Sequence, residues 1–442
     1  MAAAACCSRN DERCRPGIHH IRAHRGAVAR HAQRKVVAPH APVMVLSDSP
    51  EGQREKTITV PSGSLLRLVS LECGLRLLLL LVVAEYGNQA FYSDVNHYFL
   101  SARDLSRTHL PYRDFLWEFP PLTTIPLVLI PILDRNQAAF AVAFVLLFGV
   151  GLEYGSLVYL RRAFPEKARD ITVLWSAAVL PLCSFAWFRL DWMSVFPAVI
   201  ALVALERHKR TSPAIIAGIC AKVWPVTLCA VFVARREWQK LAEVVAGTAL
   251  LCLCWYLFSP QGVRDFLMFR RGSGYQVEST PGAVLLLAGL PWEFRFGAVI
   301  VAAGRYQWIQ DVLNVVTVGG GATIAAATLL RRARPTPLVA SLVLVLLVGS
   351  RIISPQYLVW LAPFVALCWQ QRRSIGYAYM AASMLTLLVV VNYPQLNSAP
   401  MSIGILVLLR NLILLWMLVL FLRETFLSND GDQPAAPRPL AS

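Results

Sequence analysis

One carboxylate near the start of the chain stands where it has a chemical use. Asp94 follows the first apolar segment, inside the polar and aromatic stretch 92–98. A carboxylate at the mouth of a membrane cavity is suited to act as a general base that deprotonates a hydroxyl. Asp94 is equally suited to cap the helix that follows it. His97 lies one helical turn further on, and it either shares the face of Asp94 or is solvated in a loop.

Three basic side chains are candidates to hold a departing phosphate, because cations stabilise the charge that develops on such a leaving group. Lys222 interrupts an apolar segment, where an unpaired ammonium is expensive, so we predict that it contacts the phosphate. Arg351 stands at a predicted helix end, as a bidentate phosphate ligand or as an interfacial anchor. Arg189 and Asp191 stand between two apolar segments, where they either pair with each other or line a sugar pocket.

The stretch 354–363 adds two candidate substrate contacts, Gln356 and Tyr357. Tyr357 and Trp360 either stack on a sugar face or belong to the aromatic belt at a membrane interface. The sequence contains no acidic cluster of the kind that binds a metal, so we expect neither a metal nor a cofactor. The ten cysteines lie in the N-terminal stretch and in apolar segments, and we interpret the latter as small core side chains.

The composition indicates that a lipid bilayer surrounds these residues. The 442-residue chain is 56% hydrophobic and 15% charged, whereas soluble domains carry about 25% charged residues. Apolar runs of about 20 residues account for the difference, because a helix of that length crosses the hydrocarbon core. The net charge of +16 is concentrated in short clusters between apolar runs. That pattern is typical of cytoplasmic loops and argues against a nucleic-acid partner.

The apolar segments predict an all-α, polytopic bundle of about 10–12 transmembrane helices. Full spans are expected at 65–84, 137–160, 171–187, 191–206, 241–258, 307–330, 337–350, 357–369, 374–392 and 402–422. The basic clusters place both termini in the cytoplasm. Two apolar pieces do not fit as full spans. Segment 122–133 is short and contains two prolines, and segment 214–233 has basic clusters at both ends. We interpret 214–233 as a re-entrant hairpin broken at Lys222, or alternatively as one tilted span.

The chain divides into three regions on this reading. Residues 1–60 contain eight Lys or Arg and five His before Val43, and they are expected to be a disordered cytoplasmic tail, or to precede a true start at Met44. Residues 61–427 form the membrane domain, and 428–442 a second disordered tail. The outer face receives the loops 85–121, 189–191, 259–292, 351–356 and 392–400. The glycine-containing stretch 269–279 is interpreted as a lid on the acceptor side.

Four stretches, in order, resemble the family-87 glycosyltransferases, formerly DUF2029, which are bacterial polyprenol-phosphate-mannose-dependent mannosyltransferases with the GT-C fold. They are Asp94 with PYRDF at 111–115 and EFPPL at 118–122, RLD at 189–191, AG at 217–218 leading into KVWP at 222–225, and SPQYLVWLAP at 354–363. The resemblance implies that Asp94 is the catalytic base and that the donor is a polyprenyl-phosphate sugar, with mannose as the sugar. It also implies a glycolipid or polysaccharide acceptor outside the cytoplasm. Phe119 and Trp224 depart from the family's usual Tyr.

The sequence therefore predicts a multi-pass plasma-membrane hexosyltransferase that inverts the anomeric centre. The acceptor hydroxyl, deprotonated by Asp94, would attack the sugar from the face opposite the phosphate. The alternative is a secondary transporter or a flippase for lipid-linked sugars. Transporters of that kind have internal repeats with paired broken helices, whereas the break at 222–225 has no counterpart in the other half of the sequence.

Overall fold

The computed structural model describes residues 72, 74–78, 93–129, 137–268, 274–295, 298–302, 304–331 and 333–426. The predicted terminal tails, nearly all of the first span and residues 269–273 of the predicted lid lie outside this part of the chain. Five helical segments within it are long and apolar enough to cross a membrane. They are Gln137–Ala163, Trp238–Phe258, Gly304–Leu330, Arg373–Val391 and Pro400–Phe426. The prediction of a largely helical, polytopic membrane protein is confirmed.

The described helices follow one another along the chain with short connections. Residues 72 and 74–78 are helical. The later helices are α1 Ser93–Ser106, α2 Ile125–Leu129, α3 Gln137–Phe144, α4 Gly151–Ala163, α5 Ala168–Ala186, α6 Trp192–Glu206, α7 Ser212–Ala221, α8 Cys229–Arg235, α9 Trp238–Phe258, α10 Pro260–Met268, α11 Thr280–Leu287, α12 Trp308–Leu330, α13 Pro335–Gly349, α14 Ala362–Cys368, α15 Arg373–Val391 and α16 Pro400–Phe426. A π-helical turn, Val145–Val150, joins α3 to α4.

Several predicted spans are shorter than a bilayer is thick. Helices α6 and α13 have 15 residues each, which gives a length of about 22 Å against a hydrocarbon core of about 30 Å. Most of their side chains are buried. The predicted spans 191–206 and 337–350 are therefore central helices surrounded by protein, and 357–369 is a short apolar segment, Pro355–Cys368.

The predicted break at Lys222 is present. Helix α7 ends there, and Lys222 itself is extended, with φ −163° and ψ 146°. A short 3-10 segment, Trp224–Leu228, follows before the chain becomes α-helical again at Cys229. Pro225 explains the interruption, because its ring excludes a regular helical hydrogen bond at that position. The chain also packs tightly here, since a Cβ on Gly218 would lie 3.0 Å from the Pro225 side chain.

The predicted outer loop 259–292 is structured, and a small sheet begins in it within the otherwise helical protein. It contains helices α10 and α11 and the first strand of a small antiparallel sheet. The strands are β1 Tyr275–Gln276, β2 Trp292–Arg295 and β3 Ala298–Val301, in the order β1-β3-β2. Ser279 caps α11 by accepting a hydrogen bond from the Gly282 amide at 3.1 Å.

An aromatic cluster supports the helix that carries Asp94. Tyr98 and Trp117 are 1% exposed and Phe144 is fully buried. The Tyr98 ring lies 5.9 Å from Trp117, edge to face, and 5.2 Å from Phe144. Such contacts fix α1 against the loop that follows it and against α3. The position of Asp94 is thus set by packing beneath it.

Candidate active site

Asp94 forms an ion pair with Arg189. It stands in the first turn of α1, where the helix dipole favours a negative charge. The Arg189 Nε atom donates to Asp94 Oδ2 at 2.7 Å, and the two side chains are 10% and 30% exposed respectively. The pair joins α1 to the turn between α5 and α6. Asp94 lies inside the helix rather than in the loop before it, and it keeps a solvent-accessible face.

Lys222 forms a second ion pair, with Asp191. The distance from Lys222 Nζ to Asp191 Oδ1 is 2.8 Å, and the same oxygen accepts from the Trp360 indole at 2.6 Å. Asp191 is 2% exposed, whereas the Lys222 side chain is 19% exposed. Asp191 therefore lies beneath Lys222 and positions it. Arg189 and Asp191, for which mutual pairing was one prediction, each pair with a residue on a different element.

An aromatic stack lies under the Lys222 ammonium. Its Nζ atom is 4.4 Å from the centre of the Tyr357 ring and 5.3 Å from that of Trp360, within cation–π range. Tyr357 and Trp360 stack at 4.3 Å, and Trp224 stacks on Trp360 at 5.5 Å. Trp360 is 6% exposed, so Tyr357 is the outer ring of the stack. The Trp224 indole donates to Ser194 Oγ at 2.8 Å, which fixes its plane.

His97 pairs with Glu118, a residue that the sequence suggested only as part of a motif. Their nearest side-chain atoms, Nε2 and Oε2, are 3.1 Å apart, and the imidazole stacks on Trp117 at 5.7 Å. Burial lowers the pKa of His97, but the hydrogen bond and charge of Glu118 and the charge of Asp94 outweigh it, so the pKa is raised. His97 is therefore held at the site and is not a freely solvated loop residue.

One buried phenol, that of Tyr98, lies within the electrostatic field of three carboxylates and one guanidinium. Burial raises the pKa of Tyr98 well above its ordinary value, and the charge of Asp94 raises it further. The charges that act on this hydroxyl are those of Asp94, Arg189, Asp191 and Glu118. Lys222 is also within electrostatic range of Asp94. Residues predicted from four separate stretches of sequence thus form one polar site.

Arg351 is placed beside the small sheet. Its carbonyl oxygen accepts from the Gln276 amide at 3.0 Å, and its charge acts on the hydroxyl of Tyr275. Gln356 is 8% exposed, in the 3-10 segment Pro355–Leu361 that also carries Tyr357. The predicted roles of Arg351 and Gln356 as substrate ligands stay predictions.

The PYRDF motif shapes the loop after α1. Tyr112 has a left-handed backbone conformation, with φ 69°. Its amide donates to the Phe115 carbonyl at 3.0 Å, and its hydroxyl donates to the Phe119 carbonyl at 2.7 Å. A Cβ on Gly262 would lie 2.4 Å from the Tyr112 Cβ atom, so only glycine allows α10 to approach this loop. Ser259 Oγ donates to the Tyr112 carbonyl at 2.8 Å and completes the junction.

A buried charge network lies within the bundle, and its members are not among the predicted site residues. Arg76 forms ion pairs with Glu72 and Glu153. Glu153 also accepts hydrogen bonds from the indoles of Trp175, at 3.1 Å, and Trp187. Arg76 is fully buried and Glu153 is 1% exposed. The signal was available, since an ionisable residue inside a predicted span calls for a buried partner.

A second missed network attaches the sheet region to the last helix. Arg410 and Asn411, both in α16, donate to the carbonyl oxygen of Glu278, Asn411 at 3.1 Å. The Tyr393 hydroxyl contacts the Glu278 carboxylate. Arg410 is fully buried, and its position inside the predicted span 402–422 was the available signal.

Two apolar grooves open beside the polar site. The Asp94-side groove has a volume of about 680 Å³, and its lining includes Leu77, Val95, Asn96, Ala141, Val142 and Phe188. The Lys222-side groove has a volume of about 420 Å³, and its lining includes Pro121, Ile219, Val223, Leu251, Trp255 and Phe258. Val95, in the lining of the first groove, directly follows Asp94 in the chain, and Val223, in the lining of the second, directly follows Lys222.

Within the described residues, no group of three or more His, Cys, Asp or Glu side chains is placed to hold a metal ion. The cysteines of that part of the chain are free thiols, namely Cys183, Cys220, Cys229, Cys252, Cys254 and Cys368. The chemistry available at the site is that of one partly exposed carboxylate, two cations, a histidine–glutamate pair and an aromatic stack.

No protein-family model matches the chain, and no curated protein matches it. Among solved structures, the chain is similar to the crystal structure of ArnT from Cupriavidus metallidurans bound to undecaprenyl phosphate. The sequence identity is 15% and the TM-score is 0.42, over 81% of this chain and 77% of that chain.

Proposed function

We propose that this protein is a GT-C-type membrane glycosyltransferase that transfers a hexose from a polyprenyl-phosphate donor to a hydroxyl of a glycolipid or polysaccharide. The sugar is mannose if the resemblance to family 87 holds, and the reaction takes place on the extracytoplasmic face of the plasma membrane. One observation carries the proposal. A partly exposed carboxylate, Asp94, is paired with Arg189 at 2.7 Å, and its charge also acts on Lys222, whose ammonium is paired with Asp191 at 2.8 Å.

Asp94 acts as the general base in this proposal. Arg189 holds its Oδ2 atom at 2.7 Å, which fixes the carboxylate plane before the acceptor arrives. As the acceptor oxygen attacks the anomeric carbon, its proton passes to the carboxylate of Asp94. Fixed geometry of this kind lowers the entropic cost of bringing base and hydroxyl together. The 30% exposure of Asp94 leaves room for the acceptor to approach.

Lys222 stabilises the leaving group. The bond from the anomeric carbon to the phosphate oxygen breaks, and its electron pair stays on the polyprenyl phosphate. Lys222 is held by Asp191 at 2.8 Å but remains 19% exposed, so its ammonium can meet the additional negative charge without first being reoriented. Arg189, which holds Asp94, is the second cation of the site, and Arg351 is the candidate third.

The Lys222-side groove supplies a place for the polyprenyl chain. Its walls are largely apolar, and they include Val223, which directly follows Lys222 in the chain. A donor with its tail in this groove presents its phosphate to Lys222 and its sugar to the space between Lys222 and Asp94. The acceptor then attacks from the Asp94 side while the phosphate departs on the Lys222 side. A single displacement with that geometry inverts the anomeric configuration.

The test is transfer of labelled mannose from polyprenyl-phosphate mannose by the full chain in lipid nanodiscs. Asp94→Asn should lower kcat by about 10²- to 10⁴-fold, the usual contribution of a general base, and leave donor affinity within twofold. Asp104→Asn, on the same helix α1, is the matched control and should leave kcat unchanged. Near-wild-type turnover by Asp94→Asn contradicts the proposal. Movement of the lipid-linked sugar across the bilayer without transfer indicates the flippase alternative.

A further inference from the structure

The carboxylate of Glu153 is buried in the bundle and takes part in no step of the proposed reaction. Its hydrogen bond with the Trp187 indole leads toward the site, because Trp187 stands two residues before Arg189 in the turn between α5 and α6. We propose that Glu153 is a positioning residue, which holds this turn through the indole so that the Arg189 guanidinium meets Asp94. The effect on catalysis rests on the proposed function, whereas the positioning itself does not.

The Glu153 carboxylate is itself held by three donors. Arg76 pairs with its Oε1 atom, which also accepts from the Trp175 indole at 3.1 Å, and its Oε2 atom accepts from the Trp187 indole. Glu153 is 1% exposed, so bulk water competes little for these hydrogen bonds. In such a low-dielectric interior each of them is stronger than in water. Glu153 is therefore a fixed point within the bundle.

The polar character of this anchor is explained by direction more than by net stability. Replacing a buried ion pair by apolar side chains of similar volume is often neutral or stabilising. Apolar contact is non-directional, whereas a hydrogen bond requires its donor and acceptor to be aligned within a narrow range of angles. The hydrogen bond with Glu153 therefore specifies the orientation of Trp187 more narrowly than apolar packing would.

The backbone of Trp187 lies against the π-helical turn Val145–Val150, which leads directly into α4. A Cβ on Gly149 would lie 2.6 Å from the Trp187 carbonyl oxygen and 2.8 Å from its Cα atom. Only glycine allows so close an approach of two backbones. Glu153 stands one helical turn further along the same segment. The segment thus contacts Trp187 twice, at its backbone and at its indole.

A displacement of Trp187 reaches Arg189 because both belong to one tight turn. The Trp187 amide donates to the Cys183 carbonyl and the Arg189 amide to the Ala186 carbonyl, both at 3.2 Å. The Arg189 Nε atom lies 2.7 Å from Asp94 Oδ2. A shift of about 1 Å in the turn is enough to break this contact, and a misplacement of that size can cost about 10²-fold in rate.

The two indoles that donate to Glu153 provide matched variants. Trp187→Phe and Trp175→Phe each remove one N–H group from the carboxylate and keep a ring in the core, but Trp175 lies inside α5 and not in the turn. Unfolding in mixed micelles measures the coupling free energy between Asp94→Asn and Arg189→Gln in the wild type and in both variants. Trp187→Phe should reduce that coupling by at least half, and Trp175→Phe should leave it unchanged. Equal coupling in all three backgrounds overturns the proposal.

Variants of the anchor itself give a second comparison. Glu153→Gln keeps an oxygen that accepts from the indole and should retain most of the coupling that Glu153→Met loses. Gly149→Ala should act like Trp187→Phe, because its Cβ displaces the same backbone. Gly155→Ala, whose Cβ would meet the movable Phe196 ring at 3.3 Å, should leave the coupling unchanged. Equal coupling in Glu153→Gln and Glu153→Met contradicts the role of the hydrogen bond.

Steady-state kinetics of the full chain in nanodiscs test the catalytic part. Trp187→Phe should lower kcat at least tenfold and leave the donor KM within threefold, because Lys222 keeps its pair with Asp191. Trp175→Phe should leave both within twofold. Equal losses of kcat in the two variants indicate a purely structural network and overturn the proposal. Loss of coupling in Trp187→Phe, together with no transfer by the wild type from any polyprenyl-phosphate sugar, supports the positioning role and rejects the glycosyltransferase function.

Discussion

Variants of the Lys222–Asp191 ion pair can distinguish its contribution to stability from the proposed role of Lys222 in donor binding. The two charges are 2.8 Å apart, with side chains 19% and 2% exposed. Their attraction is about 6 kcal/mol at an effective dielectric constant of 20. Removing one partner of a buried pair costs about 3–5 kcal/mol, because the other charge is left buried without compensation. We therefore expect Asp191→Asn and Lys222→Met each to lower the free energy of unfolding by about 3 kcal/mol.

The double variant should recover most of that loss. With both charges gone, the neutral amide at position 191 still accepts from the Trp360 indole, and the methionine chain fills the space of the lysine. The two effects should therefore be non-additive, with a coupling free energy of about 2–4 kcal/mol. Titration with sodium dodecyl sulfate in mixed micelles measures the free energy of unfolding of all four proteins.

Activity of the same double variant tests the chemistry. The recovered stability of the double variant should not restore donor binding, because the cation proposed to bind the phosphate is missing. Its donor KM should therefore be at least tenfold higher than that of the wild type. A coupling free energy below about 0.5 kcal/mol contradicts the expectation that the buried ion pair stabilises the fold. A stable double variant with wild-type donor KM refutes the phosphate role of Lys222. The exposed pair Arg295–Glu293, 3.7 Å apart, is the control and should show a coupling below about 1 kcal/mol.

Three further predictions concern the parts that support the site. Because the pKa of His97 is raised in the folded protein, its pairing with Glu118 stabilises the fold fully below pH 6.5. This stabilisation is lost as the pH rises through the higher folded-state pKa. Thermal denaturation from pH 6 to 9 should show the loss, and Glu118→Gln should make the melting temperature less dependent on pH. Glu153→Gln should lower the free energy of unfolding by about 3–5 kcal/mol, measured in mixed micelles, since it leaves a fully buried guanidinium without one of its anions; wild-type stability contradicts this. Gly262→Ala should cost about 1–3 kcal/mol because its Cβ meets the left-handed loop, whereas Gly319→Ala, with open space around it, should be neutral or stabilising in the same titration.

The sequence predicted which residues form the candidate site better than it predicted which of them contact each other. Asp94, Arg189, Asp191 and Lys222 lie in three stretches that the basic clusters assigned to one face or to a break facing a cavity. The ion pairs were not predictable, because Arg189 and Asp191 are neighbours in sequence but point to different helices. The cation that pairs with a given carboxylate depends on how each helix is rotated about its axis. Hydropathy does not determine that rotation.

The fold was predictable where hydropathy is a strong signal. The long spans predicted at 241–258, 307–330, 374–392 and 402–422 match observed membrane-length helices, and only 374–392 extends beyond its helix, by one residue. Central helices such as α6 and α13 were assigned full spans, because an apolar run does not reveal whether lipid or protein surrounds it. The sheet was missed because strands of two to four residues carry no period-two pattern.

The balanced charges of the two ion pairs have a kinetic consequence. Asp94 with Arg189 and Lys222 with Asp191 contribute two positive and two negative charges, so together they exert little attraction on an anion beyond about one Debye length. Capture of the donor should then vary little with ionic strength, unlike association that is steered by an uncompensated charge. Inorganic phosphate in the surrounding water should compete only weakly with the polyprenyl-phosphate donor. It has no hydrocarbon tail to bind, and the site exerts little long-range attraction on anions.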